Sequence, residues 1–266
     1  MLIVKQEMIY RKNMRYLFLS LIVLGMIGCG STAPVRRADK TYTVANAKYE
    51  ISLSSVERTV GAEKISIEQR IETVLEDGIS SSSFEDQTVT IKWTPTPYDI
   101  GFALTNKTDQ PIGVVWNESR FIDEKGTSHR VTHVGIGFED RDNFHPSTVI
   151  GPRGAIKDFV HPADYFKWEE LGGGKSNKEQ GYGKRTPFLP IQIKGKAEEL
   201  KAKVEPFVGK TFQVILVLQI GDVRNDYIST FKIDDVTITE KEEHQEKNPN
   251  EGKGSGGGKG GRRRGY

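Results

Sequence analysis

Four of the five histidines, His129, His133, His145 and His161, fall between Thr127 and Pro162, in company with Glu139, Asp140, Asp142 and Asp158. Imidazole and carboxylate are the groups that ligate zinc or move protons near neutral pH, so metal-assisted or acid–base chemistry would be sought in this stretch. The spacing works against one shared ion. His129 and His133 lie on one face if the stretch is a strand, but about 13 Å apart along it, and a common metal would need a bend. Asp140-Arg141-Asp142-Asn143 alternates oxygen ligands like a calcium loop, yet the sixth-position glycine and twelfth-position glutamate of such a loop are missing. His129, His133, Asp140 and Asp142 are therefore weak metal candidates that fit equally well as polar side chains on exposed strands and loops. The expectation is no resident metal and no cofactor.

Two further groups of residues could do chemistry. Gly172-Gly173-Gly174-Lys175-Ser176 has the amides and the lysine that cradle phosphate, but the first glycine of that motif would fall on Glu169 and no buried strand leads into it, so it reads as a flexible connector. Tyr165, Phe166 and Trp168, with Tyr182 beyond the glycine-rich stretch, could form an aromatic platform for a sugar ring or a partner peptide. Aromatic side chains bury much area while freezing few torsions, which suits binding sites and cores alike. Neither a Gly-x-Ser-x-Gly elbow nor a His-Glu-x-x-His helix occurs. Glu169 and Glu170 make no glycosidase pair without a known separation. The chain reads as a non-enzyme.

Its address is clearer. Lys5, Arg11, Lys12 and Arg15 precede an apolar run, Leu17 to Ile27, too short for the roughly 20 residues of a spanning helix. The run ends in Met26-Ile27-Gly28-Cys29, which resembles the bacterial lipobox. That resemblance implies cleavage after Gly28, diacylation of the Cys29 sulfur and acylation of the new amine. With Gly30 rather than aspartate next, it also implies the outer membrane in a Gram-negative host. Two or three acyl chains hold a protein stably, at about 0.8 kcal/mol per buried CH₂. A buried hydrophobic segment with a chance cysteine is the competing reading. Met14 opens a compact signal of its own, which leaves Met1, Met8 and Met14 as alternative starts. Cys29 is the single cysteine, so an exported body has neither a disulfide nor a thiol nucleophile.

The candidate residues need a scaffold, and most of the chain alternates with period two. Residues 29–45 are small, polar and charged, a tether. Tyr49, Ile51 and Leu53 then begin a first strand. Between Lys64 and Gly78 the period lengthens: Ile67, Ile71, Val74 and Leu75 would share a helical face, with a capping box at Ser66 and Gln69 and a left-handed stop at Gly78. A helix is predicted there, against a competing strand from Ile65 and Ile67, and Gly78 to Ser83 reads as a loop in either case. Alternation returns at Val89, Ile91 and Trp93 and at Ile100, Phe102 and Leu104. A turn at Asn106 to Pro111, Ile112 to Trp116, and a strand, tight turn and strand around Asp123 to Gly126 follow. Val149 to Val160 reads as two short edge strands broken by Pro152 and Gly154. Leu171 to Pro187 is a long, basic, glycine-rich connector.

Lys196 to Val204 is predicted as a second short helix, with Ala197, Leu200 and Val204 inward and Pro206 ending it. Phe212, Val214, Leu216, Leu218 and Ile220 form a strand whose other face also carries Ile215 and Val217, hence a central one, returning through Gly221 to Asp226 into Tyr227 to Thr239. Many strands with one or two short helices predict a mostly β fold, an antiparallel β-sandwich over residues 46–239. Trp93 to Val160, with its TNKTDQPI turn, VVWNESRFIDEKG hairpin and IGPRGAI edge, resembles the immunoglobulin-like body of bacterial lipoproteins of uncharacterised function. The resemblance implies fold elements and no site.

Residues 240–266 change composition, ending in GKGSGGGKGGRRRGY, which cannot pack a core and reads as a disordered tail. Its Arg262, Arg263 and Arg264 could contact anions, and export would make these envelope phosphates or an acidic partner rather than nucleic acid. The net charge of +2 points to no polyanionic partner either. The favoured reading is a non-catalytic lipoprotein of the cell envelope, held to the membrane by its N-terminal lipid and binding a protein or glycan through loops such as 171–187. An exported metal-dependent hydrolase using the 129–161 region is the alternative, and a spacer without a ligand is a third.

Overall fold

The computed structural model describes residues 41–65, 70–76, 79–171 and 181–244. Sixteen strands follow in chain order. They are β1 (Thr41–Val60), β2 (Glu63–Ile65), β3 (Arg70–Glu76), β4 (Ile79–Glu85), β5 (Val89–Pro95), β6 (Ile100–Asn106), β7 (Ile112–Val114) and β8 (Arg120–Ile122), then β9 (Ser128–Thr132), β10 (Thr148–Ile150), β11 (Ala155–Pro162), β12 (Phe166–Glu170), β13 (Gly181–Arg185), β14 (Gln192–Lys194), β15 (Thr211–Ile220) and β16 (Val223–His244). The helix α1 (Ala197–Val204) sits between β14 and β15.

All pairings are antiparallel. One layer runs β14-β1-β16-β15-β8-β9, with β2 on β1 and the β7–β10 pair on β15. The other runs β11-β6-β5-β4-β3. A short β9–β11 ladder, His161 opposite Thr132 and Pro162 opposite Val131, joins them along one side. Alternation decides what faces inward: Phe84, Ile91, Trp93, Phe102 and Leu104 from the second layer meet Ile51, Leu53, Phe212, Val214, Tyr227 and Phe231 from the first, all buried. Trp93 packs edge-on to Phe231 at 5.4 Å between ring centres, and Phe84 edge-on to Tyr227 at 6.1 Å. The fold is thus the antiparallel β-sandwich that the alternation requires, with each large apolar side chain contributing about 1.5–3 kcal/mol by leaving water.

Several elements depart from expectation. Strand β1 begins at Thr41, inside the stretch read as tether, and β16 runs to His244, past residue 239. Along β1 the inward positions step from Ile51 and Leu53 to Val56, because the register shift at Leu53/Ser55 admits Ser54 as an extra residue in β1; the shift at Glu50/Ile51 instead places the extra residue, Asp234, in β16. The helix predicted over Lys64 to Gly78 is instead β2 and β3, with residues 66–69 and 77–78 outside those described. The serine run read as a loop is β4. Its hydroxyls do the work of side-chain packing: Ser82 Oγ accepts the amide of Leu53 at 3.2 Å and shares a hydrogen bond with Thr73 Oγ1 at 2.9 Å. Of the two strands expected at an edge, β10 pairs with β7 alone, whereas β11 pairs on both sides; Pro152 and Gly154 fall between them, where no ladder is interrupted. Helix α1 is as expected, burying Leu200 and Val204.

Candidate functional site

Strand β11 leaves the sheet at Pro162, whose fixed φ starts a 3₁₀ turn, Ala163–Tyr165, that redirects the chain into β12. Strands β12 and β13 form a separate two-stranded ribbon, Phe166 opposite Arg185 through Glu170 opposite Gly181. Its base is pinned by Thr186, whose amide and hydroxyl both donate to the Tyr165 carbonyl, at 2.8 and 2.7 Å. The connector expected over 171–187 is therefore partly strand. Residues 172–180, with the Gly172–Ser176 motif, lie outside those described.

Alternation sorts the predicted aromatic platform into different places. Phe166 and Trp168 share one ribbon face with Gly181 and Gly183, while Tyr182 lies opposite Glu169 on the other face, beside the Lys184–Glu169 ion pair at 2.5 Å. Tyr165 turns the other way, its ring edge-on to His129 at 6.0 Å. The partner of Phe166 and Trp168 is a residue the sequence reading did not single out. Phe138, on the 3₁₀ turn Phe138–Asp140, meets Phe166 edge-on at 5.8 Å and Trp168 at 5.5 Å. Arg141, three residues on, returns over the Phe138 ring at 3.8 Å and donates to the Phe138 carbonyl at 2.8 Å. Both ribbon glycines are required: a Cβ at Gly181 would come within 2.5 Å of the Trp168 ring, and one at Gly183 within 2.5 Å of Phe138 Cβ and 2.8 Å of the Phe166 ring. The glycines spaced two apart, with Gly183 opposite Trp168, were the available signal.

Phe138, Arg141, Phe166 and Trp168 line an open groove of about 330 Å³ together with Asp142, Ala163, Asp164 and Lys167. Asp142 pairs with Arg141 at 3.3 Å. Asp164 Oδ2 lies 2.6 Å from His129 Nδ1, and the other ring nitrogen of His129 lies 3.3 Å from Asp123 Oδ2. Asp123 is itself fixed, its Oδ1 accepting the amides of Lys125 and Thr127 in the β8–β9 turn that Gly126 closes with φ 82°. Burial opposes charge on His129, but the hydrogen bonds and charges of the two aspartates outweigh it and raise its pKa. Burial likewise opposes charge on Asp123, and its backbone donors with His129 nonetheless hold its pKa below the usual range. The Tyr165 hydroxyl is pushed up by burial and by Glu124, Asp123 and Asp164.

The remaining histidines do not join this group. His133 stacks flat on Trp116 at 4.0 Å, 3.5 Å from Asp158 Oδ2 and edge-on to His145. His145 is held through its Nε2, 3.0 Å from the Asp140 carbonyl, and by its amide to Asn117. His161 is fully buried and donates from Nδ1 to the Tyr98 carbonyl at 2.6 Å; burial lowers its pKa. Asp140 binds Asn143 through its carboxylate. The four weak metal candidates thus engage separate partners. Among the described residues, no group of three or more His, Cys, Asp or Glu could hold a metal ion. Gly28, Cys29 and Arg262 to Arg264 lie outside the described residues.

No family profile, curated protein or solved structure matches the chain. The reading of function therefore rests on the groove and on the sequence.

Proposed function

We propose that the protein is a non-catalytic lipoprotein of a bacterial cell envelope, acylated at Cys29 and cleaved after Gly28, whose β-sandwich carries the β12–β13 ribbon as a recognition face for a protein or glycan. In a Gram-negative host it belongs to the outer membrane. The observation that carries the reading is the exposure of one tryptophan. Trp93 and Trp116 are 0% and 1% exposed, whereas Trp168 is 38% exposed, held between Phe138 and the glycines of its own ribbon. An indole kept in water by a rigid, purpose-shaped support is what a binding anchor needs. The acyl anchor rests on the lipobox resemblance of Met26 to Cys29; among the described residues no helix is long and apolar enough to cross a membrane. No observation favours the hydrolase reading, whose ligands would be drawn from residues with separate partners.

Two measurements test the proposal. Intact mass of the chain extracted from membranes should show it beginning at Cys29 with acyl chains attached; an unmodified chain starting earlier sinks the anchor. Photo-crosslinking in whole envelopes from a probe placed at Lys167 should capture a partner or glycan, and Trp168→Ala should abolish that capture while the thermal midpoint of the sandwich is kept.

A further inference from the structure

Two ion pairs tie the β12–β13 ribbon to the sandwich, and pH acts on them differently. On the β13 side, Arg185 donates to Asp99 Oδ2 at 2.8 Å and lies over the Phe159 ring at 4.3 Å. A guanidinium keeps its charge throughout the physiological range, so that tie is permanent. At the foot of β12, Asp164 Oδ2 lies 2.6 Å from His129 Nδ1, and the same ring meets Asp123 Oδ2 at 3.3 Å through Nε2. An imidazolium donates from both nitrogens at once, whereas a neutral imidazole has a single N–H. Once the proton is lost, one of the two carboxylates faces a lone pair instead of a donor.

Asp123 is the fixed member. Its side chain is 11% exposed and its Oδ1 accepts the amides of Lys125 and Thr127, whereas that of Asp164 is 70% exposed on a three-residue 3₁₀ turn. A second partner stands close to Asp164. Lys167, three residues further along the chain, lines the same groove and has no ion pair among the described residues. The other groups around His129 do not replace Asp164: Glu124 is paired with Lys125 at 3.7 Å, Tyr165 is kept neutral by a pKa raised chiefly by burial, and Phe121 is apolar.

We propose that His129 is a proton-operated latch on the ribbon. Protonated, it holds Asp164, and with it the foot of β12, against the β8–β9 turn; neutral, it releases Asp164 to Lys167 and leaves the ribbon on its remaining contacts. The inference does not depend on what the groove binds, but it changes what the groove presents, because Asp164 and Lys167 both line it. The closed latch leaves a free ammonium there, and the open latch a matched pair. The two aspartates raise the His129 pKa against the opposing effect of burial. The latch is therefore closed below about pH 6.5 and opens as the pH rises through the higher folded value. His161, edge-on to Phe166 at 6.2 Å, also stands at the ribbon foot, but burial lowers its pKa. It is neutral across that range and cannot produce an opening on the alkaline side.

Amide exchange of the intact chain, followed by NMR and corrected for the intrinsic dependence of exchange on pH, reads the latch. Protection of the β12 and β13 amides should fall between pH 6 and pH 8.5, by up to about tenfold per pH unit, the limit for one proton, while that of β5 and β6 stays level. His129→Gln keeps a donor and cannot titrate; Asp164→Asn leaves the ring its contact with Asp123. Each should abolish the pH dependence of ribbon protection, and Asp164→Asn should also move the titration of the His129 ring to lower pH. Because Asp164 is exposed, its variant tests the latch even where replacing His129 disturbs the fold. Lys167→Gln should make the fall in protection shallower, and an unchanged fall would overturn the exchange of partners. Wild-type ribbon protection that is level with pH, or a fall that survives Asp164→Asn, overturns the latch itself.

Discussion

At the scale of single residues, two histidines of similar appearance in the sequence respond to acid in opposite ways. His161 is buried and neutral, donating from Nδ1 to the Tyr98 carbonyl, and its pKa is lowered by burial. Below the unfolded value of about 6.5 the unfolded chain binds a proton that the folded chain refuses, so stability falls as the pH drops, by at most about 1.4 kcal/mol per pH unit for one proton. His129 has its pKa raised, net of burial, by Asp164 and Asp123. It contributes stability that is fully present below about pH 6.5 and is lost as the pH rises through its folded value. Urea unfolding at several pH values separates them. His161→Gln, which can still donate to Tyr98, should flatten the decline between pH 6.5 and 5; His129→Asn should destabilise more at pH 6 than at pH 8.5. Equal losses at all pH values would refute both assignments. That these histidines cluster was legible from spacing. Their roles were not, because the deciding partners, Asp123 and Asp164, come from a turn and a 3₁₀ segment whose approach depends on the β9–β11 junction.

At the scale of elements, strands are legible in the sequence where apolar alternation is dense and hidden where hydrogen bonding substitutes for it. Strands β5, β6 and β15 were legible because Val89, Ile91 and Trp93, Ile100, Phe102 and Leu104, and Phe212 to Leu218 each carry their burial in their pattern. Strand β4 was not, since a serine run has no such pattern until the Leu53 amide of β1 donates to Ser82 Oγ and Thr73 of β3 shares a hydrogen bond with it. The same blindness turned β3 into a helix: its spacing of Ile71 and Val74 suits a helical face, but Val74 is exposed on an edge strand and cross-strand pairing with β4 overrides the local period. The ribbon β12–β13 shows the converse, an element defined by what its glycines lack. Gly183→Val should push Phe138 and Phe166 apart, costing about 1–3 kcal/mol of local stability as overpacking does. Because the ribbon pairs with no other strand among those described, the global thermal midpoint should hold while Trp168 becomes more quenchable. A parallel collapse of the whole fold would show that the ribbon is not a separate unit.

At the scale of the whole molecule, the sandwich carries its large aromatic core between layers and needs a polar tie as well, for the β9–β11 ladder joins the sheets through only two residue pairs. That tie is Asp86, in the turn between β4 and β5. Its Oδ1 accepts the amides of Thr88 and Val89 at 2.7 and 2.8 Å, and its Oδ2 accepts the Tyr227 hydroxyl at 2.9 Å and faces Arg58 at 3.5 Å. Arg58 in β1 also donates twice to Asn225 Oδ1 and once to Thr88 Oγ1, and its guanidinium lies over the Tyr227 ring at 5.4 Å. One carboxylate thus fixes its own turn and reaches two strands of the opposite layer. Burial, then the charge of Asp86, raises the Tyr227 pKa and keeps the hydroxyl a donor throughout the physiological range. Removing one member of such a set leaves the others buried and uncompensated, a loss of about 3–5 kcal/mol, whereas the exposed pair Arg153–Asp109 is screened by solvent and adds little. Asp86→Ala should therefore lower the thermal midpoint by about 10 °C in calorimetry, and Asp109→Ala by no more than about 2 °C. Arg58→Met and Asp86→Ala combined should cost clearly less than the sum of their separate effects, since each already breaks the network the other belongs to. Strict additivity would mean that the two layers are held by the aromatic core, with Asp86 merely capping its own turn.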